Sequence, residues 1–203
     1  MEKRLIVLLT FALSLTACGG NSAPTQAPQV EGVPTMAQGT STQSLEPNAI
    51  ANGSGIEGVL SYPDRLEYHN HVDAVKEPEG NLPPVFGEHF PAWQNCGIYD
   101  KPVALGNAIH SMEHGAVWLT YRPDLDAVKV KSLQELVRGH GYVLMSPYVK
   151  QVSDVVLTAW GVQLIIDSVP DDRIAKFIAY YENGPQNYEP GAPCSGAVGN
   201  PLP

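Results

Sequence analysis

The chain has 203 residues, 43% of them hydrophobic and only 16% charged, with a formal net charge of −9. That length is ample for a proper hydrophobic core without further staples. The acidic balance and the absence of any basic run exclude electrostatic binding of nucleic acid or of an anionic surface, and leave attraction of cations open.

The N-terminus reads as an address. Lys3 and Arg4 form a basic segment, Leu5 to Leu15 an apolar stretch of 11 residues, and Leu15-Thr16-Ala17-Cys18 a small-residue processing site. A cysteine directly after such a site resembles a bacterial lipobox. Residues 1–17 are then a lipoprotein signal peptide, and Cys18 is the lipidated first residue of the mature chain. The apolar stretch falls well short of the ~20 residues that span a bilayer. Acyl chains, not a helix, are therefore expected to hold the protein to a bacterial membrane, on its extracytoplasmic side. Residues 18–55 turn abruptly to Ala, Pro, Thr, Ser, Gln, Asn and Gly with no Lys or Arg, the composition of a flexible tether. Residues 56–203 are one domain's worth of chain. Without residues 1–17, which carry Lys3, Arg4 and Glu2, 10 basic residues face 20 acidic ones and the net charge is about −10.

In chain order, Ile56-Glu57-Gly58-Val59-Leu60 predicts a short strand. Tyr68-His69-Asn70-His71-Val72 predicts another, in which period two would point His69 and His71 to one side. Residues 77–97 are too rich in Pro and Gly for a regular element. A long ordered loop inside a domain is usually functional, and this one carries His89, Trp93 and Cys96. His110-Ser111-Met112-Glu113-His114-Gly115 then predicts a helical turn ended by glycine, and Ala116 to Tyr121 a buried strand. A helix is expected from Pro123-Asp124 to about Arg138, with Ser132-Leu133-Gln134-Glu135 as a capping-box pattern. Tyr142 to Met145 is a strand. Val155 to Ala159 and Val162 to Ile166 are two more, or one long strand bent at Gly161. The last helix opens at Pro170, with Ile174, Phe177, Ile178 and Tyr181 at i, i+3, i+4 and i+7. The order predicts an α+β fold in which two helices cover one face of a small, mainly antiparallel sheet, after a long Pro/Gly-rich N-terminal loop region. A ferredoxin-like arrangement is one way to satisfy it.

Five of the six histidines, His69, His71, His89, His110 and His114, fall within 46 residues. His110 and His114 lie four apart, on one face of a helical turn, with Glu113 beside them. Two helical imidazoles with a third from His89, His71 or His69 make a nitrogen-rich set that suits copper or zinc in preference to magnesium or calcium. Met112 is a soft axial ligand for copper by chemistry, but helical geometry turns it away from His110. Each histidine alone is explained as well by hydrogen bonds to a loop rich in unpaired backbone groups. Five together are not. His140, between two glycines, reads as a helix C-terminal or solvent-exposed residue.

Cys96 and Cys194 remain once Cys18 is lipidated, and an oxidising compartment favours their pairing over a role for Cys96 as a thiolate ligand. His110, Glu113 and His114 match the H-x-x-E-H signature of inverted zinc peptidases. That enzyme needs the signature inside a continuous helix, and Gly115 followed by a strand argues against it. His69-Asn70-His71 spells a nuclease motif without its context, on a chain too acidic for it.

Four segments, Pro83-Pro84-Val85-Phe86-Gly87-Glu88-His89, Trp93-Gln94-Asn95-Cys96-Gly97-Ile98-Tyr99, His110 to Gly115, and Leu157-Thr158-Ala159-Trp160-Gly161, together resemble a family of bacterial extracytoplasmic proteins of unknown function, DUF3105. The resemblance covers about Tyr68 to Cys194. It implies a secreted or membrane-anchored protein and brings no activity. The residues themselves point to an envelope lipoprotein with a His-rich transition-metal site. The alternative is a noncatalytic lipoprotein that binds an envelope protein partner through Phe86, Phe90 and Trp93, as an accessory subunit of a membrane complex.

Overall fold

The computed structural model describes residues 53–63 and 66–203. The expected signal peptide, the expected lipidation site Cys18 and nearly all of the expected tether lie outside the described residues. The elements are β1 (Leu60–Ser61), β2 (Gly97–Ile98), α1 (Leu105–Glu113), β3 (Val117–Tyr121), α2 (Ala127–Val137), β4 (Val143–Pro147), β5 (Val155–Ala159), β6 (Val162–Ile166) and α3 (Arg173–Tyr181). They form one six-stranded sheet in the order β1-β6-β5-β3-β4-β2. Three pairings are antiparallel and two, β3 with β4 and β4 with β2, are parallel.

Period two sorts the strand residues onto two buried faces. Val117, Leu119 and Tyr121, with Val143, Met145, Val155, Leu157, Leu164 and Ile166, pack against Leu133 and Val137 of α2 and Ile174, Phe177, Ile178 and Tyr181 of α3. This is the expected pair of helices on one face. The opposite face carries Trp118, Leu144 and Trp160, covered by Ala108, Ile109 and Met112 of α1 and by Val85 and Phe86 of the Pro-rich loop. The strand order differs from a ferredoxin-like sheet, where a third strand separates the two joined by the first helix; here β3 and β4 are hydrogen-bonded neighbours in parallel.

Several boundaries move for local reasons. Gly58 takes φ 82°, so the expected strand at 56–60 is reduced to β1, paired to β6 through Leu60 and Gln163. The expected strand at 68–72 is instead a 3-10 helix, Leu66–His69, followed by an isolated parallel bridge between His71 and His89. α2 starts late because the Asp126 carboxylate accepts from Val128 N at 2.8 Å and Lys129 N at 3.4 Å, a side-chain cap. Ser132 bonds back to the Val128 carbonyl and caps nothing. α3 begins at Arg173, whose N–H and guanidinium both bond the Asp171 carboxylate. Gly161 at φ 72° makes the turn between β5 and β6, which are two strands.

The loop at 77–97 is irregular yet fixed. Gln163 Nε2 donates to the Pro83 carbonyl at 2.9 Å, and Gly161 N to the Val85 carbonyl at 2.9 Å. Phe90 N and Gln94 N then reach the carbonyls of Gly106 and Asn107 on α1. Cys96 and Cys194 are disulfide-bonded across 98 positions. That bond ties the C-terminal tail beside the loop, where Val198 and Leu202 bridge Gln94 and Ile98.

Candidate metal centre

α1 presents His110 and Glu113 toward the loop, which presents His89 back, and the segment after the 3-10 helix adds His71 through its bridge to His89. One ligand atom from each of these four residues lies within 4.8 Å of all the others. His89, His110 and Glu113 are buried, while His71 is exposed and opens the group to solvent.

The orientation of the rings follows from the backbone groups around them. His89 Nδ1 lies 2.8 Å from the Gly87 carbonyl, His110 Nδ1 2.6 Å from that of Phe90, and His114 Nδ1 2.7 Å from that of Pro193. A carbonyl only accepts, so each Nδ1 carries a proton and each Nε2 of a neutral ring carries a lone pair. Metal-bound histidines are fixed in the same way, by donating the other ring N–H to a carbonyl.

The Nε2 atoms meet acceptors. His89 Nε2 is 2.9 Å from Glu113 Oε2, a buried histidine–carboxylate contact bent away from ideal hydrogen-bond geometry. His110 Nε2 is 3.0 Å from His114 Nε2. A cation between His110 and His114 would remove a repulsion between their lone pairs.

Electrostatics agree with this arrangement. Burial, followed by the neighbouring imidazoles, lowers the His110 pKa to about 4 against the pull of the Phe90 carbonyl, so the ring is neutral at ordinary pH. Burial opposes charge on both His89 and Glu113. Their mutual contact outweighs it, raising the histidine above its usual value and, with His69, lowering the carboxyl below its own.

The other sequence candidates separate. His69 stands outside the four-residue group: its Nδ1 donates to Glu113 Oε1 at 3.0 Å, and its ring lies between Trp160 and Tyr188. It positions the carboxylate. His114 adjoins the group through His110. Met112 is fully buried in the apolar cluster under Trp118 and Trp160, facing away from the imidazoles. Cys96 is in the disulfide and not a thiolate. His140 is exposed and paired with Glu182. Phe86 is buried in the core, Phe90 packs over Gly106, and Trp93 lies against His110 and His114. Glu113 ends α1 and its carboxylate is engaged by two histidines, unlike a free general base in a helix. Glu189, 3.7 Å from His114 Nε2, was not expected; it sits 75 positions further along the chain, and no spacing pattern signals it.

An α+β domain with three imidazoles and one carboxylate gathered between a helix and an irregular loop is the class that fold and site define. Residues 79–196 match the family described as "Protein of unknown function (DUF3105)", and the chain belongs to it. All four segments that carry the resemblance fall within that match. No curated protein and no solved structure matches the chain.

Proposed function

We propose that the protein is an envelope-anchored lipoprotein whose domain binds one transition-metal ion, copper or zinc, through His71, His89, His110 and Glu113. The observation that carries this reading is the convergence of one ligand atom each from His71, His89, His110 and Glu113 to within 4.8 Å of one another, with three of the four residues buried. Nitrogen-rich sets suit copper and zinc, where calcium and magnesium prefer all-oxygen sites. The anchor is supported by the lipobox-like Leu15-Thr16-Ala17-Cys18 and the tether that follows. The test is elemental analysis of protein purified without chelator or metal-affinity tag, then copper and zinc titration of the stripped protein. One equivalent per chain, lost in His89→Ala, is expected; failure to take up either ion refutes the metal reading. For the anchor, Cys18→Ser should move the protein from the membrane to the soluble fraction.

A further inference from the structure

The inner ligand group has an outer neighbour on the side of the C-terminal tail. His110 and His114 bring their Nε2 atoms to 3.0 Å, with ring planes at 84°. Two nitrogen donors bound at ~2.1 Å to one ion stand about 3.0 Å apart at a right angle and about 3.4 Å apart at the tetrahedral angle of zinc. The pair is therefore spaced to chelate a single cation. Glu189, half exposed at 53%, places Oε2 at 3.7 Å from His114 Nε2. The Trp93 ring closes over both imidazoles, with centroids at 5.8 and 5.0 Å. His110 thus stands between the inner group and the His114–Glu189 pair.

We infer that His110, His114 and Glu189 form an outer metal position contiguous with the inner one, and that the ion enters and leaves through it. This rests on the inner group being a metal site, and it makes the protein an ion carrier that exchanges its metal. The step is ligand exchange without change of oxidation state. The His114 Nε2 lone pair forms a bond to the ion as an inner ligand, His89 or Glu113, releases its own; His110 Nε2 stays bound throughout. The Glu189 carboxylate, reaching solvent, offsets the charge of the ion in its outer position and hands it to an acceptor. The tail that supplies Glu189 and the Pro193 carbonyl is fastened by the adjacent Cys194 disulfide.

The test follows metal transfer from the zinc- or copper-loaded full chain to excess EDTA by stopped flow, beside equilibrium affinity by competition. For His114→Asn, transfer should slow by about tenfold or more, equivalent to ~1.4 kcal/mol in the barrier, while affinity stays close to that of the wild type. Glu189→Gln, an exposed change that spares the fold, should slow transfer by a smaller factor at unchanged affinity. Unchanged transfer in both variants overturns the inference and places the route at the exposed His71. A collapse of affinity in His114→Asn with its melting temperature preserved also overturns it, because His114 would then be a resident ligand. A wild-type chain that takes up no ion fails the metal reading itself, a result separate from either of these.

Discussion

Gly106 sets how closely the loop around His89 approaches α1, and its replacement by alanine should weaken metal binding at the proposed site without changing a ligand. A Cβ at this position meets two ring carbons of Phe90 at 2.7 Å and a methyl of Val75 at 2.8 Å. Ordinary carbon contacts are ~3.5–4.0 Å, so the Phe90 segment must retreat by about 1 Å. Phe90 follows His89 directly, its N–H bonds the Gly106 carbonyl, and its own carbonyl orients His110. Metal–ligand distances tolerate only ~0.2 Å of error. Affinity should therefore fall at least about tenfold, equivalent to ~1.4 kcal/mol. Stability should change less than the crowding suggests: overpacking costs about 1–3 kcal/mol, and the helix preference for alanine over glycine returns up to ~1 kcal/mol. Chelator competition on Gly106→Ala, beside thermal unfolding of the stripped protein, measures both quantities. Wild-type affinity in this variant would refute the reasoning, as would an affinity loss no larger than the fraction unfolded accounts for.

The remaining predictions concern the frame that holds the site. Removing the disulfide with Cys96→Ala and Cys194→Ala opens a loop of 98 positions, which by chain entropy costs about 4.7 kcal/mol; chemical denaturation of the two forms measures it, and a loss below about 1 kcal/mol would contradict the expectation. Asp154 is buried and accepts from Lys129 Nζ at 2.8 Å, Arg122 Nε at 3.0 Å and Val169 N at 3.2 Å. Burial opposes its charge, and these donors outweigh it, holding its pKa below the ordinary carboxylate value. Its stabilisation is then complete above the unfolded-state pKa of ~3.9 and disappears as pH falls through the lower folded value. Asp154→Ala should cost about 1–3 kcal/mol at neutral pH through the orphaned Val169 N–H, and urea unfolding should show the gap to wild type closing in acid. Phe177, fully buried beneath the sheet, should cost about 3–5 kcal/mol on truncation to alanine and leave the metal stoichiometry of the surviving folded protein unchanged.

What the sequence made legible follows from periodicity. Ile174, Phe177, Ile178 and Tyr181 repeat at helical spacing and do form the buried face of α3. The runs at 117–121, 155–159 and 162–166 are buried over nearly every residue; the last two have the bounds read from their β-branched and aliphatic content, and the first starts one residue later than expected. The stretch at 68–72 misleads because the alternation in Tyr68-His69-Asn70-His71-Val72 imitates a strand. Its residues are ordered instead by aromatic stacking and by bonds to the distant Glu113 and His89. At the site, the clustering of five histidines identified the region, and spacing placed His110 and His114 side by side. Spacing did not reveal that His71 and His89 are brought together by a bridge. It also gave no sign of the carbonyls of Gly87, Phe90 and Pro193, since a backbone oxygen has no residue signature.

A purely structural role for the histidines accounts for half of their atoms. It explains His69, whose donor meets Glu113, and the Nδ1 atoms of His89, His110 and His114, each of which ties down a loop carbonyl. It leaves the facing Nε2 atoms of His110 and His114, 3.0 Å apart, unexplained. Burial keeps protons off His110 until about pH 4. Stabilising an irregular loop requires only donors for its carbonyls, which amides or hydroxyls supply without a second basic nitrogen to bury. Imidazole is the residue choice that leaves a lone pair behind once the carbonyl is satisfied. Gathering three imidazoles with a carboxylate in one partly closed space is costly for the empty protein and favourable for a cation, so the same residues that burden the fold are the ones that would give the ion its affinity.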